Sequence, residues 1–530
     1  MKHLYFNGTI VTMAGEGNLA EAVITENGKI SFVGSKEQAL SLAGDDVLKV
    51  DLDGKVLLPG FIDAHGHVIQ TAQGISLCDL SEAKDFESIA QLLKDYISKN
   101  DIGSDDIVFG NGYDHNFLLE DVHPDISVLD SVSKDIPIYI SHVSGHMGVG
   151  NSALFKLANV TPETEDPIGG KFGRDNKGQL NGYIEETPAL MKVLMVAMPR
   201  MKMDMVNQFL LTQDRYLSYG ITTCQEGAAG GADAMKLLCG IDMGKMLKMD
   251  VVIYPLDESY QDAVSQYPMA DGKYMGHVKI GGTKIILDGS PQGKSAWLSK
   301  PYEGEAEYAG YPTHDDAYVR DVIERAGNGG YQVLAHCNGD AASEQFLSAC
   351  ERQSEIAKLR PVMIHAQTVR RDQLERMSHI EMIPSFFVGH TYYWGDVHLK
   401  NLGKDRGSKV SPVNTAKEFG LIFNFHQDSP VTKPDMLHSV WCAVNRQTRL
   451  GVEIGPEERV SVYDALKAVT INAAYAYFEE DEKGTIEVNK KADFVVLEKN
   501  PLTVDPCTIK DIKVLRTYKD DELVWSEKCQ

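Results

Sequence analysis

The sequence has no pair of cysteines at Cys-x-x-Cys spacing. Its eight cysteines stand scattered at 78, 224, 239, 337, 350, 442, 507 and 529. Neither a thiolate zinc cluster nor a disulfide framework is indicated, and a reducing, cytoplasmic setting is expected. No run reaches about 18 consecutive apolar residues, the length a membrane helix needs. The opening "MKHLYFNGTIVTM" lacks a long apolar segment followed by a small-residue cleavage site, so no secretory leader is expected. Basic residues are in short supply: 52 Lys and Arg stand against 76 Asp and Glu, a formal net charge of −24. Phosphate backbones need Lys and Arg, which excludes nucleic acid as an expected partner and disfavours long-range steering of a strongly anionic substrate. Internal repeats and low-complexity tracts are also missing.

What is there is an ordinary globular composition, 43% hydrophobic and 24% charged over 530 residues. That length suits an α/β barrel of about 250 residues or more with a smaller second domain. Both chain ends read as short strands. "HLYFNGTIVTM" and "AVITENGKISFVG" carry Asn7-Gly8 and Asn27-Gly28 as hairpin signals, and "GTIEVNKKADFVVL" with "IKVLRTYKDDELVW" has the same texture. From about residue 205, strands such as "YQVLAHCNGD", "PVMIHAQ" and "LIFNFHQDSP" alternate with amphipathic helices, which implies a parallel sheet with helical crossovers. The expected architecture is a (β/α)8 barrel over 59–480, with an insertion at about 70–205. A small β-sandwich is expected to combine 1–58 and 481–530.

The run "VLLPGFIDAHGHV", 56 to 68, ends in two histidines one residue apart. In an extended chain, residues i and i+2 share a face, so His65 and His67 point into one space. Other apolar runs end the same way: His336 in "LAHCNGD", His365 in "MIHAQ" and Asp428 in "FHQDSP"; a further strand, "TKIILDGS", offers Lys284 with Asp288 just beyond. A lone histidine after a strand is more often a structural hydrogen-bonder, and a lone aspartate a turn or helix cap. The set is what counts, because barrel enzymes gather their chemistry at strand ends.

These motifs resemble the amidohydrolase superfamily. The resemblance rests on "LPGFIDAHGH", "GYD" at 112–114, "NSALF" at 151–155, "KIILDGS" at 284–290, "HCNGDAA" at 336–342, "HQDSPV" at 426–431 and "KKADFVVL" near the end. The stretch "FFVGHTYYWGDVH", 386–398, points to the branch that includes N-substituted formamide deformylase. The resemblance implies that His65, His67, His336, His365 and Asp428 are metal ligands, and that Asp428 is also the general acid/base. It aligns Lys284 with a lysine carboxylated by carbon dioxide, which makes chemical sense because a carbamate is an anionic oxygen ligand and an ammonium is not. The chain departs from the pattern at Ile364, where relatives often have Glu, and at "SHVSGHM", 141–147, where they often have Arg and Asp ahead of a Gly-His pair.

The implied activity is hydrolysis of a non-peptide carbon–nitrogen bond, an N-substituted formamide or related amide, by metal-activated water. The implied cofactor is one or two divalent ions, zinc by the donor set. An esterase or lactonase would use the same groups, and a metal-free binding module is the reading from another class. His142, His146, His390 and Tyr393 are expected to contact substrate, and Asp288, Asp340 and Asp396 to orient ligands from behind. Cys337 follows a ligand directly, and strand alternation turns it away from the site. The expected partner is a small-molecule substrate, with no membrane; the resemblance suggests a homodimer.

Overall fold

The structure is a computed structural model that describes residues 2–44, 46–75, 77–143, 147–201 and 204–527. The chain divides into two compact units, Met1–Thr71 with Phe209–Gln530, and Ala72–Gln208.

In the first unit, strands from both chain ends share one eight-stranded sheet. Val56–Pro59 is the junction: it runs parallel to Lys2–Val11 and antiparallel to Phe494–Leu497. Alternation sorts the side chains by face. Tyr5, Val23, Phe494 and Val496 pack on one side, while Leu4, Ala22 and Ile24 meet Ala39 and Ala43 of the helix Lys36–Ala43 on the other. Asn27 and Gly28, both at positive φ, form the tight turn between Leu19–Glu26 and Lys29–Gly34, as expected of an Asn-Gly hairpin. Asn7-Gly8 behaves differently. It sits inside Lys2–Val11, where the register with the neighbouring strand shifts between Phe6 and Ile10. The positive φ of Asn7 serves a bulge there instead of a hairpin.

The rest of this unit is α/β. Phe61–Ile62, Ile221–Ala229, Asp250–Pro255 and Val278–Ile280 form one parallel sheet. Gly282–Ile286, Gln332–Cys337, Val362–His365, Ile383–Phe386 and Asn424–Phe425 form another. A parallel bridge between Leu256 and Lys284 connects them. The strands are buried almost throughout, as parallel strands covered on both faces must be. Ile62, Val252, Tyr254, Leu334, Ile364 and Ile383 come from strands of both sheets yet meet in one cluster, closed by Ala473, Ala474 and Tyr477. Each such aliphatic side chain contributes roughly 1.5–3 kcal/mol by leaving water. Where strands end, Asp428 N–H donates to His65 O at 3.2 Å and His67 N–H to Ser429 O at 2.8 Å.

The second unit has its own six-stranded sheet, in the order Lys171–Arg174, Leu180–Glu185, Met147–Gly150, Ile138–His142, Val108–Tyr113, Cys78–Asp79. Val108, Ile138 and Ile140 face one apolar cluster, and Phe109, Tyr139 and Ile184 the other. The Gly-rich stretch at 166–186 includes the hairpin of this sheet, turned at Asp175–Gly178. Among the described residues, no helix is long and apolar enough to cross a membrane.

Candidate metal centre

His65 and His67 leave the strand Phe61–Ile62 and are fixed by neighbours from Ile221–Ala229. His65 Nδ1 lies 2.5 Å from Gln225 Oε1, and His67 Nδ1 2.6 Å from the carbonyl of Gly227. Gln225 spends its amide nitrogen on Ala64 O and Tyr477 Oη, so its oxygen faces His65 as an acceptor. Both partners can only accept. Each Nδ1 therefore carries the proton. Burial keeps the His65 ring neutral, so its Nε2 presents a bare lone pair, whereas at His67 burial is outweighed by Asp428, which raises that ring above the usual imidazole value. Both Nε2 atoms converge on Asp428: its buried Oδ1 is 3.2 Å from His67 Nε2 and 3.5 Å from His65 Nε2.

Burial alone would raise the Asp428 carboxyl, but the adjacent His67 holds it below the usual range, so it is ionised at neutral pH. Two imidazole nitrogens and a carboxylate facing one another need a shared cation, either a proton on His67 or a metal ion among them. This is the donor set and orphaned atom that a divalent ion fits. His365 joins from Val362–His365: one atom each of His65, His365 and Asp428 lies within 4.8 Å of the others. His365 Nε2 is 3.0 Å from His336 Nδ1. His365, Ala366 and Asp428 all have positive φ, a strained backbone of the kind that clusters at functional sites.

Lys284 is 2% exposed, with Nζ 3.4 Å from His65 Nε2. Burial drives its ammonium down to about 7, partly opposed by Asp428. The amidohydrolase family's pattern matches residues 49–525. The chain belongs to the amidohydrolase family. N-substituted formamide deformylase of Arthrobacter pascens is 26% identical over 542 residues, covering 98% of this chain and 97% of its own. YtcJ of Bacillus subtilis (strain 168) is 26% identical across 99% of this chain and all of its own. An uncharacterized metal-dependent hydrolase from Pyrococcus furiosus superposes with a TM-score of 0.77 at 25% identity, covering 95% of this chain and 100% of that one. Family membership makes the protein a hydrolase, and the clustered donors fit a divalent metal.

In this amidohydrolase the remaining residues expected to act fall into three places. His390 is buried against Phe387 and Trp394, with ring centroids 4.6 Å away in each case, and Phe387 in turn lies 5.4 Å from His426. Its Nδ1 meets His398 Nε2 at 3.1 Å, and the two rings are stacked. Tyr393 packs with Tyr392, Trp394 and His438. Asp288 Oδ1 lies 3.6 Å from His336 Nε2, while its carboxylate accepts the backbone N–H groups of Trp297, Asn338 and Gly339. Asp340 and Asp396 are engaged elsewhere: Asp340 accepts from Ser299 and Arg370, and Asp396 from Thr448 and Leu450. Both carboxylates stand in the first turn of a helix and tie it to segments 30 or more residues away. His142 belongs to the second unit, and His146 lies outside the described residues. Cys337 is fully buried, and burial keeps its thiol protonated.

Sequence reasoning missed His426, Gln225 and the Gly227 carbonyl. His426 is fully buried between Ser385 Oγ, 2.9 Å from Nδ1, and His365 Nδ1, 3.2 Å from Nε2. The signal for Gln225 is a polar side chain inside the apolar strand "ITTCQEGAA".

Proposed function

We propose that the protein hydrolyses a non-peptide carbon–nitrogen bond in a small molecule, an N-substituted formamide or related amide, with zinc as its divalent metal. The observation that carries this reading is the convergence of the Nε2 atoms of His65 and His67, each with its Nδ1 held by an acceptor, on the buried, ionised Asp428 Oδ1. His65, His67, His336, His365 and Asp428 would hold the metal. When bound in such a set, a divalent ion brings the pKa of water towards neutrality and draws charge from a carbonyl.

The chain's own groups supply the proton traffic. Asp428 takes the proton of the attacking water on Oδ1 and returns it to the leaving nitrogen as the tetrahedral adduct collapses. Gln225 and Gly227 keep His65 and His67 in the tautomer that leaves Nε2 free. Substrate specificity is assigned to His390 and Tyr393, with Phe387 and Trp394 as an apolar wall that favours an uncharged N-substituent.

Lys284 is proposed to be carboxylated: Nζ bonds to the carbon of CO2 with loss of one proton, turning a buried amine into an anionic oxygen donor beside His65. The same reading has the parallel strands close as a (β/α)8 barrel and the terminal sheet fold into a β-sandwich. It is supported by the shared inner cluster and by the backbone bonds joining His65 and His67 to Asp428 and Ser429.

The test is metal per chain by elemental analysis, on wild type and Lys284→Ala, with turnover of formamides, other amides and esters. The expected result is that Lys284→Ala holds at least one ion per chain fewer than wild type and loses amide turnover. Equal counts in both remove Lys284 from the centre. Esters cleaved and amides not would replace the amidase with an esterase. No metal after zinc, manganese and iron are supplied overturns the proposal.

A further inference from the structure

The unit Ala72–Gln208 contains a second convergence of ligand-type side chains. His115 Nδ1 lies 3.1 Å from His142 Nε2, and Asp114 Oδ1 lies 3.5 Å from His142 Nε2 and 3.9 Å from His115 Nδ1. Donors held about 2.0–2.2 Å from one ion at tetrahedral angles stand roughly 3.3–3.6 Å apart. The three separations straddle that range.

The backbone explains why they meet. Val108–Tyr113 and Ile138–His142 are neighbouring parallel strands, with Tyr113 and His142 as Cα partners. Asp114 and His115 follow the end of the first strand, and His142 is the last residue of the second. The three donors therefore stand together at one edge of the sheet. His142 is buried, while Asp114 and His115 are partly exposed, which leaves a route for an ion to enter.

The surroundings support ligation. His123 stacks on His115 at 4.0 Å, and its Nδ1 lies 3.0 Å from Tyr113 Oη. Hydrogen bonding alone explains the arrangement less well, since a single Nε2–H of His142 would be shared between Asp114 Oδ1 and His115 Nδ1.

We propose that Asp114, His115 and His142 form a second divalent transition-metal site, a two-histidine, one-carboxylate triad with its remaining coordination positions open to water or ligand. It uses none of the residues of the centre around Asp428, and it assigns His142 to metal ligation in place of substrate contact. Two imidazoles and one carboxylate suit zinc, iron or cobalt in the divalent state and disfavour magnesium and calcium, which prefer all-oxygen sets.

The full-length protein, stripped with a chelator and titrated with Co2+, decides this through bound ions per chain and visible d–d absorption. His115→Ala and Asp114→Asn are each expected to bind about one ion fewer than wild type, or to bind it at least tenfold more weakly. His65→Asn is expected to lose ions from the other centre while retaining this one. Thermal melts in chelator check that each variant folds, and the near-isosteric Asp114→Asn decides if His115→Ala does not. Stoichiometry, affinity and spectrum equal to wild type in a folded variant of the triad would overturn the site and leave a hydrogen-bonded histidine cluster.

Discussion

Among the described residues His426 meets the imidazoles of His65 and His365, and its contact with His365 suggests its use. Ser385 Oγ, His426 and His365 form a chain at 2.9 and 3.2 Å, which sets how the His365 ring is turned and which of its nitrogens carries the proton. Groups that orient a metal-binding histidine are typically worth 10–100-fold in metal affinity. We expect His426→Leu to weaken metal binding by about that factor in chelator competition, with Gln at the same position recovering part of the loss through its side-chain oxygen. Equal affinity in wild type and His426→Leu would show that Ser385 and His426 only fill space. The residue was within reach of the sequence, because His426 and Asp428 repeat the i, i+2 spacing of His65 and His67 in the segment "FHQDSP". His65, His67, His336, His365 and Asp428 stand out in the sequence because each ends or leaves an apolar run, and Lys284 because it stands inside one. The carboxylates of Asp340 and Asp396 carry no mark of direction in the sequence, and in the structure they pair with Ser299 and Arg370 and with Thr448 and Leu450.

At the scale of elements, the strands of the first unit were legible where four to six β-branched or apolar residues stood between amphipathic helices, as in Gln332–Cys337 and Val362–His365. The sheet of the second unit was not, because it joins a parallel part, Cys78–Asp79, Val108–Tyr113 and Ile138–His142, to an antiparallel part and so gives no steady βα rhythm. Asn7-Gly8 shows a finer limit: one dipeptide suits a hairpin and a bulge equally, and only the neighbouring strand chooses. That choice has a measurable consequence. A Cβ on Gly8 would lie 2.4 Å from Lys55 O and 2.6 Å from Leu52 Cβ, so backbone must move. Gly8→Ala is expected to destabilise the protein by about 1–3 kcal/mol in urea unfolding. Gly15→Ala, with nothing nearer than 3.7 Å, should change stability by about 0.5 kcal/mol or less. Similar losses in both would mean that the close approach at Gly8 is easily relaxed.

Across the whole molecule, a charge cluster ties distant parts of the first unit together. Asp250, fully buried at the start of Asp250–Pro255, meets Lys483 at 2.6 Å, Lys519 of the terminal sheet at 3.2 Å and Lys491 at 3.3 Å, and His277 at 2.7 Å. The three lysine contacts join segments more than 200 residues apart, which is why no local pattern in the sequence announced them. Burial alone would raise the Asp250 carboxyl, but Lys483 and then Lys519 overcome it and hold its pKa well below the usual carboxylate range. A carboxyl depressed in the folded state stabilises the protein above its unfolded pKa, near 3.9, and that contribution is lost as the pH falls from there towards the folded value. Stability should therefore fall with acid below about pH 4 partly through this one residue. Asp250→Asn removes the charge and leaves buried lysines without their shared partner, a change expected to cost about 3–5 kcal/mol at pH 7. The variant should also show a shallower loss of stability between about pH 5 and pH 3, because the group that responds there is gone. Urea unfolding of both proteins across that range separates the two effects. A variant as stable as wild type at pH 7, or with an unchanged acid slope, would mean that Glu479 beside Lys483, and Asp493 and Asp520 beside Lys519, suffice for the lysines and that Asp250 does not hold the terminal sheet to the parallel strands.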